Sequence, residues 1–208
     1  KIKFPFTVGY GMTECAPLIS YDHHYEFVPT SCGSVLAGIM EARIDSPDPE
    51  NVPGEIQVRG ENVMKGYYKN PEATKAAFTK DGWLKTGDSG IMRGRRLFIK
   101  GRIKTMILGP SGQNIYPEEI EAKLNNLPYI AESLVVEREN KLVALVYPDF
   151  AALEASGLTA GQLPQIMDDN KGVLNKQVAN YERISSLIIV EKEFEKTPKK
   201  SIKRFLYN

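Results

Sequence analysis

Long apolar runs are missing from this sequence, which has no stretch near the roughly 20 residues that a membrane-spanning helix needs. Its first residues also lack the apolar segment of a signal peptide, so we expect none there. Cysteine is scarce, because Cys15 and Cys32 are the only two. Their wide spacing fits neither a CxxC redox motif nor a zinc site. We expect both to be buried or half-buried free thiols.

An excess of charge of one sign is also absent, because 27 lysines and arginines stand against 26 acidic residues. Nucleic-acid binders usually carry a strong basic excess, so no nucleic-acid partner is expected. The hydrophobic share of 42% and the charged share of 25% are those of an ordinary globular protein. We expect a cytoplasmic protein whose membrane contact is at most peripheral to the inner face, since no amphipathic or lipidation signal is seen.

The first half of the chain has the pattern of β-structure. The loop at 45–54 contains three prolines, and the segment 55–60 after it alternates polar and apolar residues, as a half-buried strand does. Asn70 and Pro71 are typical of the start of a helix. The predicted elements here are strands at 34–44 and 55–60, a helix from 71 to about 78, and a hairpin of 90–92 with 97–99.

The second half mixes helices with strands. Pro117, followed by two glutamates, predicts a helix start, with Ile120, Leu124 and Leu127 on one face. A longer helix over about 162–180 is predicted to bury a stripe of Ile166, Val173, Leu174, Val178 and Tyr181. Strands are predicted at 133–137, 141–147 and 187–190. The fold class predicted for the whole chain is α+β, with a β-rich domain at 1–101 and a small α+β domain at 102–208.

The segment Tyr10-Gly11-Met12-Thr13-Glu14 combines an aromatic ring, a glycine, a hydroxyl and a carboxylate. These groups suit a nucleotide site, where the ring stacks on a base, the hydroxyl bonds a phosphate and the carboxylate holds Mg²⁺. Five such residues also occur in ordinary turns, so the segment alone leaves both interpretations open.

Three later segments are equally ambiguous when each is taken alone. Asp88 follows Gly87 and could accept both hydroxyls of a ribose, or simply cap a turn. Arg102 and Lys104 could pair with a nucleotide or belong to a solvated linker. The lysine-rich end from Glu193 to Arg204 could place a lysine on a phosphate or be solvated surface.

Taken together, the order and spacing of these motifs are specific. The series is Tyr10–Glu14, Gly54–Gly60 with Lys65-Gly66-Tyr67-Tyr68, Trp83–Asp88, Gly101-Arg102, Tyr116–Glu121 and the lysine-rich end. It resembles the AMP-forming acyl-activating ligases, which include acyl-CoA synthetases, peptide-synthetase adenylation domains and firefly luciferase. The ending Lys-Ser-Ile-Lys-Arg-Phe-Leu and the segment 149–181 look most like the long-chain fatty-acid–CoA ligase branch.

This resemblance implies the end of a large adenylate-forming domain at 1–101 and a mobile lid at 102–208. The family joins a carboxylic acid to ATP, forming an acyl-adenylate and pyrophosphate, and then transfers the acyl group to the thiol of CoA. The resemblance implies that Tyr10, beside Gly11, packs on the adenine, that Thr13 contacts the α-phosphate and that Glu14 coordinates Mg²⁺. It also implies that Asp88, with help from Arg102, binds the ribose. Lys104 is implied to be the hinge, and Gly112 to be the place where the backbone approaches pantetheine.

Two departures from the family pattern qualify these expectations. The glycine-rich phosphate loop and the acyl pocket are not found in these residues, so we expect the chain to be the C-terminal third of a ligase that needs the rest of its parent chain. We also expect the isolated chain to be inactive. At the position of the family's adenylation lysine stands Ser201, and we assign that role to the adjacent Lys200.

Two other functions remain open at this stage. Ser201 favours a non-catalytic domain of the same fold that binds a nucleotide, CoA or a partner. Within the family, the chain could instead come from an adenylation domain for an amino or aryl acid that uses a carrier-protein thiol. The adjacent His23 and His24 have no further ligands at suitable spacing, so we expect them on the surface or at a pocket rim rather than on a metal.

Overall fold

The computed structural model describes residues 5–198 and 200–207. The chain divides into two compact units, one ending at Lys104 and the other beginning at Thr105. The last strand of the first unit continues to Arg102, and this explains why the division falls slightly beyond the sequence-based boundary after residue 101. Both units combine helices with β-sheet, and the α+β fold class is confirmed.

The first unit contains one antiparallel sheet of seven strands in the order β1-β2-β3-β7-β6-β5-β4. Its elements are β1 (Gly9–Gly11), β2 (Leu18–Tyr21), β3 (Ser34–Val35), β4 (Met40–Asp45), β5 (Gly54–Gly60), α1 (Pro71–Ala77), β6 (Leu84–Arg93) and β7 (Arg96–Arg102). The alternation predicted in β5 places Ile56 and Val58 fully inside the core. Asn70 caps α1 by accepting a hydrogen bond from the Ala73 N–H, as its sequence position indicates.

The second unit is a three-stranded sheet covered by helices, with a small hairpin at its start. Its elements are β8 (Ile107–Leu108), β9 (Asn114–Ile115), α2 (Pro117–Leu124), β10 (Ile130–Arg138), β11 (Lys141–Pro148), α3 (Phe150–Ala155), α4 (Leu163–Gln177) and β12 (Ser186–Ile189). Strand β11 lies in the centre, antiparallel to β10 and parallel to β12. Its central residues are buried, as expected for a strand with neighbours on both sides.

Two predicted elements are wrong in detail. The strand predicted at 34–44 is interrupted, because the chain turns between Leu36 and Met40 with Gly38 at a φ of +74°, which glycine adopts without strain. Helix α4 ends at Gln177, and its buried residues are Leu163, Met167, Asn170 and Leu174, of which only Leu174 was predicted. Two other residues of the predicted stripe, Ile166 and Val178, are partly buried against the same core. Within the predicted stripe, Val173 and Tyr181 are instead exposed by 42% and 46%.

Other elements were missed or extended. Strands β1 and β2 and helix α3 were not predicted, and β6 and β7 run well beyond the predicted hairpin at 90–92 and 97–99. Leu127 lies beyond the end of α2, although it still packs against the core of the second unit. Among the described residues, no helix has both the length and the apolar character required to span a bilayer.

Candidate functional site

The sheet of the first unit brings together three of the predicted site residues. Asp88 on β6 stands opposite Arg102 on β7 in the strand register, and the Arg102 Nε lies 2.9 Å from the Asp88 Oδ1. From β1, the Tyr10 hydroxyl donates a hydrogen bond of 2.6 Å to the Asp88 Oδ2. Tyr10 and Asp88 are 78 residues apart in sequence, so the fold alone creates this contact.

The Asp88 carboxylate is buried but still approachable. Asp88 as a whole residue is 7% exposed. The side chain of its partner Arg102 is 61% exposed. Burial and the neighbouring carboxylate raise the pKa of the Tyr10 phenol far above its usual range, so the hydroxyl keeps its proton and donates to Asp88. A carboxylate that is held in this way is an acceptor of fixed orientation, the kind of group that binds the hydroxyls of a ribose.

The segment after Tyr10 forms a tight turn at the end of β1. Gly11 closes on the neighbouring chain so tightly that a Cβ there would lie 2.0 Å from the Pro17 carbonyl oxygen, which explains the need for glycine. Thr13 and Glu14 then lie in a short 3-10 helix, Thr13–Cys15, where Thr13 is exposed and Glu14 is half-buried. The Tyr67 hydroxyl donates to the Glu14 Oε1 at 3.0 Å.

The fit of Mg²⁺ to these residues depends on Glu14. The described residues contain no cluster of three histidine, cysteine or acidic side chains that could form a complete metal cage. Mg²⁺ at nucleotide sites needs only one or two carboxylates, because phosphate and water oxygens complete its octahedron. Glu14, with one oxygen held by Tyr67, fits that requirement.

The remaining histidines and cysteines do not compose a metal site within the described part of the chain. His23 is exposed and stacks on Tyr25 with ring centroids 5.2 Å apart, and His24 is also exposed. Cys15 is a buried free thiol and Cys32 a half-buried one, as expected. Burial raises the pKa of Cys15 to about 11, so this thiol is protonated and unreactive near neutral pH.

The other predicted residues lie at the end of the first unit and in the second. Lys104 is exposed in a short 3-10 helix, Ile103–Thr105, and is the last residue of the first unit. Gly112 is exposed in the turn between β8 and β9. This turn borders a cavity of about 310 Å³, whose lining includes Ser111, Gln113, Lys141, Arg183 and Ser185.

Lys200 lies at the tip of a turn near the end of the chain. The turn is closed by hydrogen bonds from the Thr197 N–H to the Ser201 carbonyl and from the Lys200 N–H to the Thr197 carbonyl, both 2.8 Å long. The Lys200 side chain is exposed and makes no hydrogen bond or ion pair with any other described residue. Lys199, part of the same motif, lies outside the described residues.

The base of this turn is fixed firmly to the second unit. The Lys196 Nζ lies 2.6 Å from the Glu132 Oε1. Arg204 bonds the buried carboxylate of Glu121 and lies 3.6 Å from Glu118. The lysine tip therefore projects from an anchored segment.

Comparison with known proteins identifies the family of this chain. Residues 2–68 match the sequence model of a family described as "AMP-binding enzyme". A 4-coumarate–CoA ligase of soybean, Glycine max, is 33% identical over 205 residues, which cover 92% of this chain and 68% of the relative. The chain belongs to the AMP-binding enzyme family. A potato relative, 4-coumarate–CoA ligase 1 of Solanum tuberosum, is 35% identical and again matches 92% of this chain, which spans 36% of that relative's length.

A solved structure extends the likeness of this chain to its fold. The O-succinylbenzoate coenzyme A synthetase (MenE) of Bacillus subtilis, in complex with AMP, matches with a TM-score of 0.78 and 27% identity. The match covers 98% of this chain and 41% of that protein.

Sequence reasoning named Tyr10, Asp88 and Arg102 but not the bonds that join them. It missed a role for Tyr67, although Tyr67 was part of a quoted motif, because its partner Glu14 lies 53 residues away. The available signal was a phenol in a glycine-containing loop between strand β5 and helix α1. The structure groups Tyr10, Asp88 and Arg102 with one another, and Glu14 with Tyr67, whereas Gly112 and Lys200 belong to the other unit.

Proposed function

We propose that this chain supplies the ribose-binding and metal-binding residues and the lid of a ligase that activates a carboxylic acid with ATP and transfers the acyl group to CoA. The observation that carries the proposal is the buried Asp88 carboxylate, held between the Tyr10 hydroxyl and the Arg102 guanidinium in a member of the AMP-binding enzyme family. This arrangement offers a fixed acceptor for both hydroxyls of a ribose.

In the first half-reaction, a substrate carboxylate oxygen bonds to the α-phosphorus of ATP, and the bond to pyrophosphate breaks. Negative charge grows on the α-phosphate oxygens during this step. Thr13 donates its hydroxyl to that phosphate, and Lys200 brings a positive charge to it. Glu14 holds Mg²⁺, which neutralises charge on the phosphates when it is bound.

In the second half-reaction, the CoA sulfur bonds to the acyl carbon, AMP leaves and the thiol proton is released. We assign the approach of CoA to the cavity beside Gly112. This cavity of about 310 Å³ has two cationic side chains, Lys141 and Arg183, against one carboxylate, Glu137, in its lining, a balance that suits an anionic ligand. We assign the hinge between the two half-reactions to Lys104, which is supported by its place as the last residue of the first unit.

The class of the carboxylic acid substrate is suggested by the names of the relatives. The potato and soybean relatives are named for 4-coumarate and the Bacillus subtilis protein for O-succinylbenzoate, both of them aryl acids. These names favour an aryl acid substrate. The long-chain fatty acid suggested by the end of the sequence stays a prediction, to be compared directly with aryl acids in one substrate panel.

Ribose recognition is tested by comparing AMP with 2′,3′-dideoxy-AMP in binding to the complete protein and its Asp88→Asn variant. The unmodified protein should lose about tenfold in affinity for the dideoxy nucleotide, because hydrogen bonds to a charged group are lost. In Asp88→Asn, the two nucleotides should bind more nearly alike. Equal binding of both nucleotides to the unmodified protein would contradict the assignment.

A non-catalytic function is favoured by one observation, Ser201 at the position of the family's adenylation lysine. Such a domain would bind AMP but form no acyl-adenylate with any acid. Trapping the adenylate with hydroxylamine separates the two functions, because only the ligase yields a hydroxamate.

A further inference from the structure

The segment from Asn62 to Thr74 lies against the turn that carries Glu14. The Asn62 Nδ2 donates hydrogen bonds to the Cys15 and Leu18 carbonyl oxygens, at 2.7 and 2.9 Å. The Met64 N–H donates to the Glu14 carbonyl at 2.7 Å. The main chain around Glu14 is therefore fixed by bonds from a part of the sequence about 50 residues away.

Tyr67 extends the same support to the Glu14 side chain. Its hydroxyl donates to the Glu14 Oε1 at 3.0 Å, and its own N–H donates to the Thr74 Oγ1 at 2.9 Å. The Thr74 hydroxyl in turn donates to the Asn70 carbonyl at 2.9 Å. Tyr67 is 40% exposed and Glu14 is half-buried, so this pair stands at the surface of the unit, where a ligand can reach it.

A glutamate side chain has several freely rotating bonds, and ordering it on a metal costs conformational entropy. A phenol that already holds one carboxylate oxygen reduces this cost and leaves the other oxygen to bind the metal. Hydrogen bonds from neighbouring groups commonly orient metal ligands in this way, and their loss weakens metal binding.

We propose that Tyr67 is a positioning residue that orients the Glu14 carboxylate for the divalent cation of the nucleotide substrate. The inference rests on the proposed function, in which Glu14 holds Mg²⁺. Tyr67 acts through Glu14 and contacts no reacting atom.

Adjacent Tyr68 offers a matched control. It is 88% exposed, and its hydroxyl makes no hydrogen bond to any described residue. Replacing either tyrosine by phenylalanine removes one hydroxyl from neighbouring positions of the same loop, but only Tyr67→Phe removes a bond to Glu14.

The test measures Mn²⁺ binding by water-proton relaxation, with ATP present and with the complete protein. We expect Tyr67→Phe to weaken Mn²⁺ binding by about three- to tenfold, the usual effect of losing one hydrogen bond, and Tyr68→Phe to leave it unchanged. In steady-state assays, Tyr67→Phe should need more Mg²⁺ for half-maximal rate, while kcat at saturating Mg²⁺ is retained. Melting temperatures verify folding, and Thr74→Val, which removes the anchor of Tyr67, should act in the same direction.

The Glu14→Gln variant separates failure of this inference from failure of the proposed function. If Tyr67 acts through Glu14, Tyr67→Phe has no further effect in the Glu14→Gln background. Unchanged Mn²⁺ binding in Tyr67→Phe, with clear weakening in Glu14→Gln, would overturn the inference alone. Equal weakening of Mn²⁺ binding by Tyr67→Phe in the unmodified protein and in Glu14→Gln would also overturn the inference alone. Unchanged binding in Glu14→Gln would overturn the metal role of Glu14 and the inference with it.

Discussion

The two units hold their candidate residues in different ways. In the first unit, Asp88 is fixed between Tyr10 and Arg102, and Glu14 is held by Tyr67. In the second unit, Gly112 and Lys200 lie in exposed turns, and the Lys200 side chain has no partner among the described residues. Fixed groups bind a ligand with little loss of entropy, whereas an exposed lysine must be ordered when the substrate is present. The fixed groups of the first unit are thus suited to binding the nucleotide, and the exposed lysine of the second unit to contacting the substrate during the reaction.

The largest effect is expected for the lysine in the second unit. Lys200→Ala should lower the rate of adenylate formation by about a hundredfold, the typical cost of losing one group that stabilises developing charge, with little change in the KM for ATP. Single-turnover assays measure the rate of adenylate formation in Lys200→Ala and in a companion variant, Ser201→Lys. A fully active Lys200→Ala protein would show that this lysine is not used. Faster adenylation by Ser201→Lys would then indicate that the family's lysine has been lost.

The corresponding change in the first unit should act on binding. Asp88→Ala removes the ribose acceptor and the partner of Tyr10 and Arg102, so the KM for ATP should rise by about ten- to a hundredfold. Asp81→Ala is the matched control, because Asp81 is an exposed carboxylate that pairs with Arg43 and Thr79 at the surface. An unchanged KM in Asp88→Ala would place ribose binding elsewhere.

Lys104 lies where the two units meet in sequence, and its substitution tests the lid. Lys104→Pro restricts the backbone there, so the thioester half-reaction should slow about tenfold more than adenylate formation, a difference of about 1.4 kcal/mol. Lys104→Ala serves as the control for loss of the side chain alone. Equal slowing of both half-reactions would argue against a hinge at this residue.

The smallest effect is expected from the ion pair between the buried Asp22 and the partly exposed Arg96, which stabilises the first unit without touching the site. Burial tends to raise the pKa of Asp22, but hydrogen bonds from Arg96 and from Ser34 outweigh it and leave the pKa below its usual 3.8. The pair therefore stabilises the fold above about pH 4 and loses that contribution as the pH falls further. Arg96→Met should lower the free energy of unfolding by about 1–2 kcal/mol at pH 7.

Urea unfolding at several pH values measures this contribution. The difference between the unmodified protein and Arg96→Met should shrink below pH 4, while nucleotide binding at pH 7 stays the same. A difference that is constant with pH would mean that the Asp22 carboxylate does not sense Arg96.

Sequence patterns predicted the regular elements where periodicity or capping was strong, such as β5, α1 and the start of α2 at Pro117. They failed for the three-residue β1 and the four-residue β2, which are too short to show a period. They also described the buried face of α4 only in part, because Asn170 is buried there and donates a hydrogen bond to the Pro128 carbonyl.

The candidate site was predictable only in part, for the same reason. Asp88 and Arg102 face each other across one hairpin, so local pairing brings them together. The contacts of Tyr10 with Asp88 and of Tyr67 with Glu14 join distant strands and loops, and no local pattern encodes them. Residue types were recognisable from the motifs, but the bonds that hold them became visible only in the fold.

We propose that the complete protein forms acyl-adenylates, and ATP–pyrophosphate exchange tests this central claim most directly. The assay would compare 4-coumarate, O-succinylbenzoate, amino acids and fatty acids of increasing length. We predict exchange that depends on one class of acid and falls strongly in Lys200→Ala. No exchange with any acid, from a folded protein that still binds AMP, would contradict the claim and favour a non-catalytic domain with Ser201 in place of the lysine.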